Sequence, residues 1–174
     1  IWVLDNDSKD GSSEMTEEKF PEVNLIRSEK NLGFAKGQNQ ILKQVKDEYV
    51  ILLNPDTRFE NNFVEEMVKF MDENPECGIA GSKLVDFAGR MESNGGDFPL
   101  GKALFNWLFN LEIFGGLSNF HRNDKDYYSV AQHVDWVSGT MMVIRTESLE
   151  KCGVFDEEFF MYFEDVEICY RAKS

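Results

Sequence analysis

The sequence predicts an α/β fold with a mostly parallel central sheet flanked by helices, as in Rossmann-like proteins. Short apolar runs alternate with segments of helical periodicity along the chain. Several of these runs stop at Gly, Pro, Asn or Asp, residues that end strands and begin turns. With 174 residues, of which 42% are hydrophobic, the chain can bury the core of one domain, and we expect that domain to cover residues 1–174.

The composition restricts the partners and the location of the protein. Asp and Glu outnumber Lys and Arg by 32 to 18, a formal net charge of −14, which argues against nucleic acid as a partner and is compatible with a site that recruits Mg²⁺ or Mn²⁺. Cys77, Cys152 and Cys169 have neither metal-ligand spacing nor a disulfide framework, so we expect reduced thiols in a cytoplasmic protein. No apolar run reaches the roughly 18 residues of a membrane span, and no signal peptide is visible.

The first predicted element is a strand at residues 1–4, which leads into the polar segment 5–12. Short polar side chains at the carboxyl end of a strand can accept hydrogen bonds from a nucleotide base or ribose. The same residues also suit a turn and a helix N-cap, and the segment by itself leaves both interpretations open.

The second predicted strand covers residues 23–27, and the segment 31–39 after it opens a helix whose apolar residues recur with helical spacing up to Val45. Two glycines and Lys36 at a helix entrance suit an anion, because free backbone N–H groups and the helix dipole face it. A glycine-rich turn is a weak signal by itself, and this one lacks the Walker pattern.

The run at residues 49–53 is predicted to be a buried strand, because its apolar and aromatic residues stop at Asn54, Pro55 and Asp56. Pro55 cannot donate to a β-ladder and ends the strand. Asp56 therefore follows the carboxyl end of a strand, where open α/β sheets bind ligands, and its carboxylate suits a divalent cation that bridges phosphate oxygens. The alternative is a turn that caps the next helix.

The middle of the chain is less regular. Apolar residues at 63–71 have the spacing of an amphipathic helix that ends near Asn74, and residues 78–85 are predicted to form one strand. Glycines interrupt an aromatic-rich segment at residues 86–130, which we expect to be a functional or flexible loop. His121 lies in it without a second ligand at metal spacing, so we interpret it as a structural or surface residue.

A buried strand is predicted at residues 141–145, after the segment 133–140. Thr146 is expected to cap the short helix that follows, and Gly153 is expected to end it.

The segment 155–167 places carboxylates beside aromatic residues, and Glu164 and Asp165 begin a predicted helix. A carboxylate against aromatic walls is partly desolvated, which raises its pKa and suits it to general-base catalysis. The alternative for these two residues is capping of the helix dipole.

Five motifs occur in a fixed order: Asp-Asn-Asp-Ser-Lys-Asp-Gly-Ser at 5–12, Asn-Leu-Gly-Phe-Ala-Lys-Gly-Gln-Asn at 31–39, Leu-Leu-Asn-Pro-Asp-Thr at 52–57, Trp-Val-Ser-Gly-Thr at 136–140 and Phe-Phe-Met-Tyr-Phe-Glu-Asp-Val-Glu at 159–167. Together they closely resemble family 2 glycosyltransferases of the GT-A fold, especially the bacterial rhamnosyltransferase-like branch. The resemblance covers essentially the whole chain. It implies a GT-A domain that is truncated at both ends, without the family's first strand and its C-terminal part.

The resemblance implies an inverting enzyme that moves a sugar from a UDP- or dTDP-linked donor to a glycan or lipid-linked saccharide, in bacterial cell-surface polysaccharide synthesis. It implies a cytoplasmic location, with the inner face of the membrane, reached through parts outside this chain, as an alternative. Two other functions stay open: a non-catalytic nucleotide-sugar or glycan-binding module, and a sugar nucleotidyltransferase. The latter would need a Gly-rich loop bearing Arg or Lys after its first strand, which is not seen here.

The resemblance also implies roles for single residues. Asp165 matches the base and Glu164 its supporting neighbour, while Asp56 would carry Mg²⁺ or Mn²⁺ because Asn54 replaces the first carboxylate of the family's Asp-X-Asp motif. The matched acceptor-side residues are Trp136 and Gly139, and the matched nucleotide-side residues are Asp5, Asn6, Asp7, Asn31, Gly33, Lys36, Asn39 and Asn54.

Overall fold

The structure, a computed structural model, describes residues 1–59, 62–111, 119–122 and 126–174. The chain divides into two compact units, and each is described by itself. The first unit comprises Ile1–Lys46 and Val154–Glu164, and the second comprises Asp47–Gly153 and Asp165–Ser174. That both units belong to a single domain over residues 1–174 stays a prediction.

The first unit is built on two parallel strands and two helices. Strand β1 (Trp2–Asp5) pairs in parallel with β2 (Asn24–Arg27), and helix α1 (Ser12–Lys19) connects them. Helix α2 (Phe34–Leu42) follows β2. Both predicted strands and the helix after residue 31 are thereby confirmed.

Helix α2 packs closely on β1 at Gly37. A Cβ at this position would lie 2.8 Å from Cδ2 of Leu4, so the close approach depends on the absence of a side chain. The same helix buries Ala35, Ile41 and Leu42, which accounts for the apolar periodicity of its sequence.

The second unit holds most of the strands. Its strands in the described ranges are β3 (Tyr49–Leu53), β4 (Ile79–Ala80), β5 (Leu84–Val85), β6 (Met91–Glu92), β7 (Gly95–Gly96), β8 (Trp136–Val137) and β9 (Met141–Arg145). The helices are α3 (Phe63–Glu73), α4 (Gly101–Leu108), α5 (Thr146–Cys152) and α6 (Glu164–Lys173), the last of which starts one residue before the unit boundary. Within the described ranges, no helix has the length and apolar character needed to cross a membrane.

Strand β9 is the centre of a three-stranded sheet, with β3 and β4 antiparallel to it on its two sides. The register places Leu53 opposite Met141 and Tyr49 opposite Arg145. The α/β class is confirmed. The expected parallel arrangement holds for β1 with β2 and for the shared direction of β3 and β4. The pairs β5–β6 and β7–β8 are antiparallel, and the prediction also needs correction at β9, which runs antiparallel to both neighbours. The reason is that a continuous apolar run reports burial on both faces, which is the same for either strand direction.

The core of the second unit forms around β9. Met142, Val143 and Ile144 have no exposed surface, and each such side chain stabilises the fold by about 1.5–3 kcal/mol relative to exposure. Met71 of α3 is also fully buried and packs with Val143. Helix α3 ends at Glu73, so the predicted amphipathic helix and its end near Asn74 are confirmed.

Two local predictions in the second unit need correction. Residues 78–85 form two short strands instead of one, because β4 pairs with β9 whereas β5 pairs with β6. Thr146 does not cap α5; its hydroxyl donates instead to the carbonyl of Asp47 at 2.5 Å. Gly153, with φ 82°, ends α5 as predicted.

The segment 86–130 contains more regular structure than the sequence suggested. Strands β6 and β7 and helix α4 lie within it. Residues 112–118 and 123–125 fall outside the described ranges, and the flexibility of the segment stays a prediction.

Arg145, at the end of β9, ties the sheet to the end of α3. Its guanidinium is largely buried, with 14% of the side chain exposed, and it donates to the carbonyls of Met71 (2.7 Å), Asn74 (3.4 Å) and Cys77 (3.3 Å). It also donates to the hydroxyl of Tyr49 at 3.0 Å. A cation at this position adds a charged donor to carbonyls at and just after the end of the helix, and it complements the helix dipole.

We expect Arg145→Met to lower the free energy of unfolding by about 2–3 kcal/mol, because several carbonyls would lose a charged donor. Urea denaturation of the variant and the wild type measures the difference. Arg90→Met, on an arginine whose side chain is 80% exposed, is the control and should change the value by less than about 0.5 kcal/mol. Equal losses in the two variants would contradict this account of Arg145.

Candidate functional site

The carboxyl end of β1 carries two partly accessible carboxylates. Oδ1 of Asp5 accepts the Ser8 N–H at 3.1 Å, and the carboxylate of Asp7 pairs with Nζ of Lys9 at 2.5 Å. Asp7 has φ 71°, a left-handed conformation that suits an aspartate in a tight turn. Short-range bonds therefore orient both side chains.

Asn6 joins this strand end to the loop before α2. Its Nδ2 donates to Oδ1 of Asn31 at 3.0 Å and to the carbonyl of Gly33 at 3.2 Å, while its Oδ1 accepts the Leu32 N–H at 2.8 Å. Oδ1 of Asn31 also accepts the Gly33 N–H at 2.9 Å. The structure thus brings the motifs at 5–12 and 31–39 together, and it uses the Asn6 side chain to do so.

Gly33 lies where a side chain does not fit. Its φ is 76°, and a Cβ would lie 2.2 Å from the carbonyl oxygen of Phe160. The next residue, Phe34, donates its N–H to the same oxygen at 2.8 Å. The first helical N–H group of α2 is therefore occupied by the chain itself.

Lys36 and Asn39 face residues after 154. Nζ of Lys36 lies 3.8 Å from Oε2 of Glu157, and the fully buried Asn39 donates to Oε1 of Glu157 at 3.1 Å. Lys43 donates to the same oxygen at 2.8 Å. The hydrogen bond from Lys43, followed by that from Asn39, lowers the pKa of Glu157. A nucleotide contact by Asn39 stays a prediction, and in this structure no surface of its side chain is open to one.

In the second unit, the end of β3 is fixed by its backbone. The Asn54 N–H donates to the carbonyl of Thr140 at 3.0 Å, and the Asn54 carbonyl accepts the N–H (3.1 Å) and hydroxyl (2.6 Å) of Thr57. Asp56 lies in the exposed turn between them. The carboxylate therefore follows the strand as predicted. The predicted turn also forms, but it does not cap the next helix, because α3 begins at Phe63 with Asn62 as its N-cap.

Trp136, at the start of β8, is a core residue, with 6% of its surface exposed. Its Nε1 donates to the carbonyl of Phe120 at 3.1 Å, and the two rings stack at 4.8 Å between centroids. Its predicted acceptor contact stays a prediction. Gly139, in the turn between β8 and β9, is buried and donates its N–H to a carboxylate oxygen of Asp165 at 3.1 Å.

Asp165 is held between two backbone donors at the start of α6. Oδ2 accepts the Gly139 N–H, and Oδ1 accepts the Val166 N–H at 2.8 Å. Burial raises the pKa of Asp165, and this effect outweighs the lowering by the Gly139 and Val166 donors and by the charge of His121. The raised pKa makes the carboxylate more basic. Glu164 is buried, with 5% exposed.

The sequence analysis did not identify three residues that act on Asp165 or on the segment before it. Glu157 and Phe160 anchor the segment before Asp165 to α2, across more than a hundred residues of sequence. His121 acts on Asp165 by its charge and packs on Trp136 at 5.9 Å between ring centroids. The proximity of these groups depends on tertiary contacts, and no local pattern signals it.

The described residues contain no cluster of three or more His, Cys, Asp or Glu side chains that could hold a metal ion by themselves. Asp56 nevertheless fits a cation whose remaining ligands come from a substrate and from water. Mg²⁺ is usually bound by one or two carboxylates together with phosphate oxygens and water, and the Asp56 carboxylate is exposed for such sharing.

Comparisons with known proteins agree with this architecture. A mannosyltransferase from Pyrobaculum calidifontis, solved with GDP-Man and Mn²⁺, superposes with a TM-score of 0.61 at 18% identity, over 97% of this chain and 41% of that one. At this identity the likeness shows the fold, which is that of GT-A glycosyltransferases.

Two curated relatives match nearly the whole chain. One is the N-acetylglucosaminyl-diphospho-decaprenol L-rhamnosyltransferase of Mycobacterium tuberculosis, at 24% identity over 97% of this chain and 59% of the relative. The other is the low-salt glycan biosynthesis hexosyltransferase Agl10 of Haloferax volcanii, at 28% identity over 98% of this chain and 52% of the relative. The chain therefore spans between half and three-fifths of the length of these two relatives.

The model of the family "Glycosyl transferase family 2" matches residues 1–153. The chain belongs to this family, and its curated relatives include rhamnosyltransferases, as the motif order predicted.

The raised pKa of Asp165 gives a stability prediction. The pKa of Asp165 in the native state lies above the ordinary value of 3.8, which we take for the unfolded state. Between these two pKa values the native state binds more protons than the unfolded state, so the stability of the wild type falls as the pH rises from one to the other. An asparagine side chain at this position has no such dependence. We expect the Tm of Asp165→Asn minus that of the wild type to increase from about pH 4 and to level off above the native pKa.

Thermal denaturation across this pH range measures the difference. Asp47→Asn, at an exposed position, is the matched control and should give a difference that stays constant with pH. A constant difference for Asp165→Asn as well would show that the Asp165 carboxylate is not destabilised by burial.

Proposed function

We propose that the protein containing this chain transfers a sugar from a nucleoside-diphosphate donor to an acceptor hydroxyl, with inversion at the anomeric carbon. The observation that carries the proposal is the Asp165 carboxylate. It is buried enough to have a raised pKa, and the N–H groups of Gly139 and Val166 fix its orientation. A base with these properties in a chain of glycosyl transferase family 2 supports catalysis over binding alone.

In the proposed reaction Asp165 takes the proton of the acceptor hydroxyl while the acceptor oxygen forms a bond to the anomeric carbon. The bond from that carbon to the diphosphate oxygen breaks on the opposite face, and the nucleoside diphosphate leaves with the electron pair. The protonated carboxyl then returns its proton to solvent. Glu164 would support Asp165 from the preceding position of the chain, and no covalent enzyme intermediate is needed.

For donor binding by the first unit we propose the end of β1 and the loop before α2. Asp5, Asp7 and the loop at Asn31 and Gly33 would contact the base, ribose and diphosphate, with Asn6 holding that loop in place. Lys36 is exposed, and its ion pair with Glu157 is long enough, at 3.8 Å, to be shared with a phosphate.

For the metal site we propose Asp56, with Asn54 beside it on the nucleotide side. Bound there together with the donor, Mg²⁺ or Mn²⁺ supplies positive charge against the leaving diphosphate. The Mn²⁺ in the mannosyltransferase structure supports a divalent cation for this fold.

For the partners we propose a UDP- or dTDP-linked sugar and a glycan or lipid-linked saccharide, in bacterial cell-surface polysaccharide synthesis. The name of the mycobacterial relative, an N-acetylglucosaminyl-diphospho-decaprenol L-rhamnosyltransferase, supports a lipid-linked acceptor. An acceptor of this kind would bring the protein to the inner face of the membrane from the cytoplasm. Gly139 would lie on the acceptor side, because it contacts the proposed base, and Trp136 would support that side from the core.

We expect Asp165→Asn in the full-length protein to cut kcat for sugar transfer by about 100-fold or more, because the basic oxygen is lost while the shape is kept. The affinity for the nucleoside diphosphate should change little. Steady-state transfer assays and calorimetry with UDP and dTDP in Mn²⁺ measure the two quantities.

Asp47→Asn serves again as the control and should keep wild-type turnover. Transfer at the wild-type rate by Asp165→Asn would place the base elsewhere. Nucleotide binding without any transfer by the wild type would favour the non-catalytic binding module instead.

We also expect Asp56→Asn to weaken UDP or dTDP binding in Mn²⁺ by about 10- to 100-fold, since contacts to charged groups contribute about 1.5–3 kcal/mol. EDTA should weaken binding by the wild type to a similar degree and should have little further effect on the variant. If EDTA leaves wild-type affinity unchanged, Asp56 has no metal role.

A further inference from the structure

Asn39 is the fully buried polar residue of α2, and its side chain bonds to a single distant segment. Nδ2 donates to the carbonyl of Phe155 at 2.8 Å and to Oε1 of Glu157 at 3.1 Å. Oδ1 accepts the Phe155 N–H at 3.1 Å. These three hydrogen bonds of the Asn39 side chain therefore join it to residues that lie 116 or 118 positions away in the sequence. The side chain has no surface exposed to solvent.

The arrangement requires an amide. One end of the side chain must donate and the other must accept, because both the N–H and the carbonyl of Phe155 are bonded. An aspartate would keep the acceptor and lose the donor. It would also place a second carboxylate about 3 Å from that of Glu157, where the two negative charges repel each other.

A second contact holds the same segment five residues further on. The carbonyl of Phe160 accepts the Phe34 N–H at 2.8 Å, and Gly33 allows the approach because it lacks a Cβ. Glu157 adds ion pairs to Lys43 and Lys36 at the edge of the contact. Residues 155–160 are therefore fixed to α2 at three points within the first unit.

The fixed segment leads directly into the proposed base. Tyr162 and Phe163 both have left-handed backbone conformations, with φ 71° and 70°, which bulky side chains adopt only where the surrounding structure imposes them. Glu164 and Asp165 follow at once. A shift of Phe160 would have only four residues in which to be absorbed before Asp165.

We propose that Asn39, together with Glu157, is a positioning residue for Asp165 and not a nucleotide contact. It acts by holding residues 155–160 on α2. Only four residues connect Phe160 to Asp165, so loosening of the segment would reach the proposed base through the chain itself. This inference rests on the proposed function for its kinetic consequence. Its structural part, the attachment of residues 155–160, is testable without any activity.

The test is Asn39→Asp in the full-length protein. We expect kcat to fall by about tenfold while the affinity for UDP or dTDP in Mn²⁺ stays within about twofold of the wild type. We expect faster hydrogen exchange at the amides of Phe155 and Phe34, because the variant loosens the segment at both attachment points. Asn62→Asp is the matched control: Asn62 is an exposed helix N-cap, where Asn and Asp are equivalent, and neither readout should change.

The double variant Asn39→Asp with Glu157→Gln provides the discriminating comparison. The Glu157→Gln substitution removes the facing charge and supplies an amide that can donate to the carboxylate introduced by Asn39→Asp. Both kcat and amide protection should therefore recover by at least about threefold relative to the single variant. A general loss of stability would give no such recovery from a second substitution on the exposed side of the contact. If the single variant does not fold, Glu157→Ala replaces it, with faster exchange at Phe155 and a lower kcat expected.

Three results would overturn the inference. An Asn39→Asp variant with weaker UDP and dTDP binding and an unchanged kcat would make Asn39 a nucleotide residue. Unchanged exchange at Phe155 would show that the segment is held by other contacts. Failure of the double variant to recover would remove Glu157 from the arrangement. If the wild type shows no sugar transfer, the proposed function fails, whereas the exchange measurements still decide whether Asn39 holds the segment.

Discussion

The burial of strand β9 is the constraint on which the second unit depends. Its first four residues are at most 1% exposed, and it is bonded on both sides, to β3 and to β4. Once this strand is fixed, the residues at its start have little freedom. Thr140 holds the end of β3 through Asn54, and Gly139 presents its N–H to Asp165. The apolar core therefore sets the position of polar groups that lie outside it.

The first unit relies on side-chain amides where it has no further strands. Asn6 bonds to the loop before α2, and Asn39 bonds to the segment at 155–157. A carboxamide can satisfy one backbone donor and one backbone acceptor at the same time, which an ionised carboxylate cannot do because it only accepts. Some polar residues of the family motifs, such as Asn6 and Asn39, therefore bond to the backbone. Others, such as Asp5 and Lys36, remain at least partly accessible to solvent.

Two opposing effects act on the pKa of Asp165, the proposed base. Removal from water favours the neutral acid, while the backbone donors of Gly139 and Val166 favour the anion and fix its direction. A more exposed carboxylate would be less basic, and one without the donors would be poorly oriented. Asp56 presents the contrast: it is exposed in a turn, where a carboxylate remains free to share a cation with a substrate. The two acidic residues have the same chemistry and differ in environment.

The sequence by itself determined the α/β class, the bounds of β3 and β9, the end of α3, the family and the identity of the carboxylates at the strand and helix ends. These depend on local patterns: apolar runs, helical spacing, and the turn residues that stop them. Only the tertiary structure decided the direction of β9, because an apolar run is the same in either direction, and the burial of Trp136 and Asn39. It alone showed that Asn39 faces Phe155 and that Gly139 faces Asp165. These contacts join residues 116 and 26 positions apart, and no local pattern carries information about the path of the chain between them.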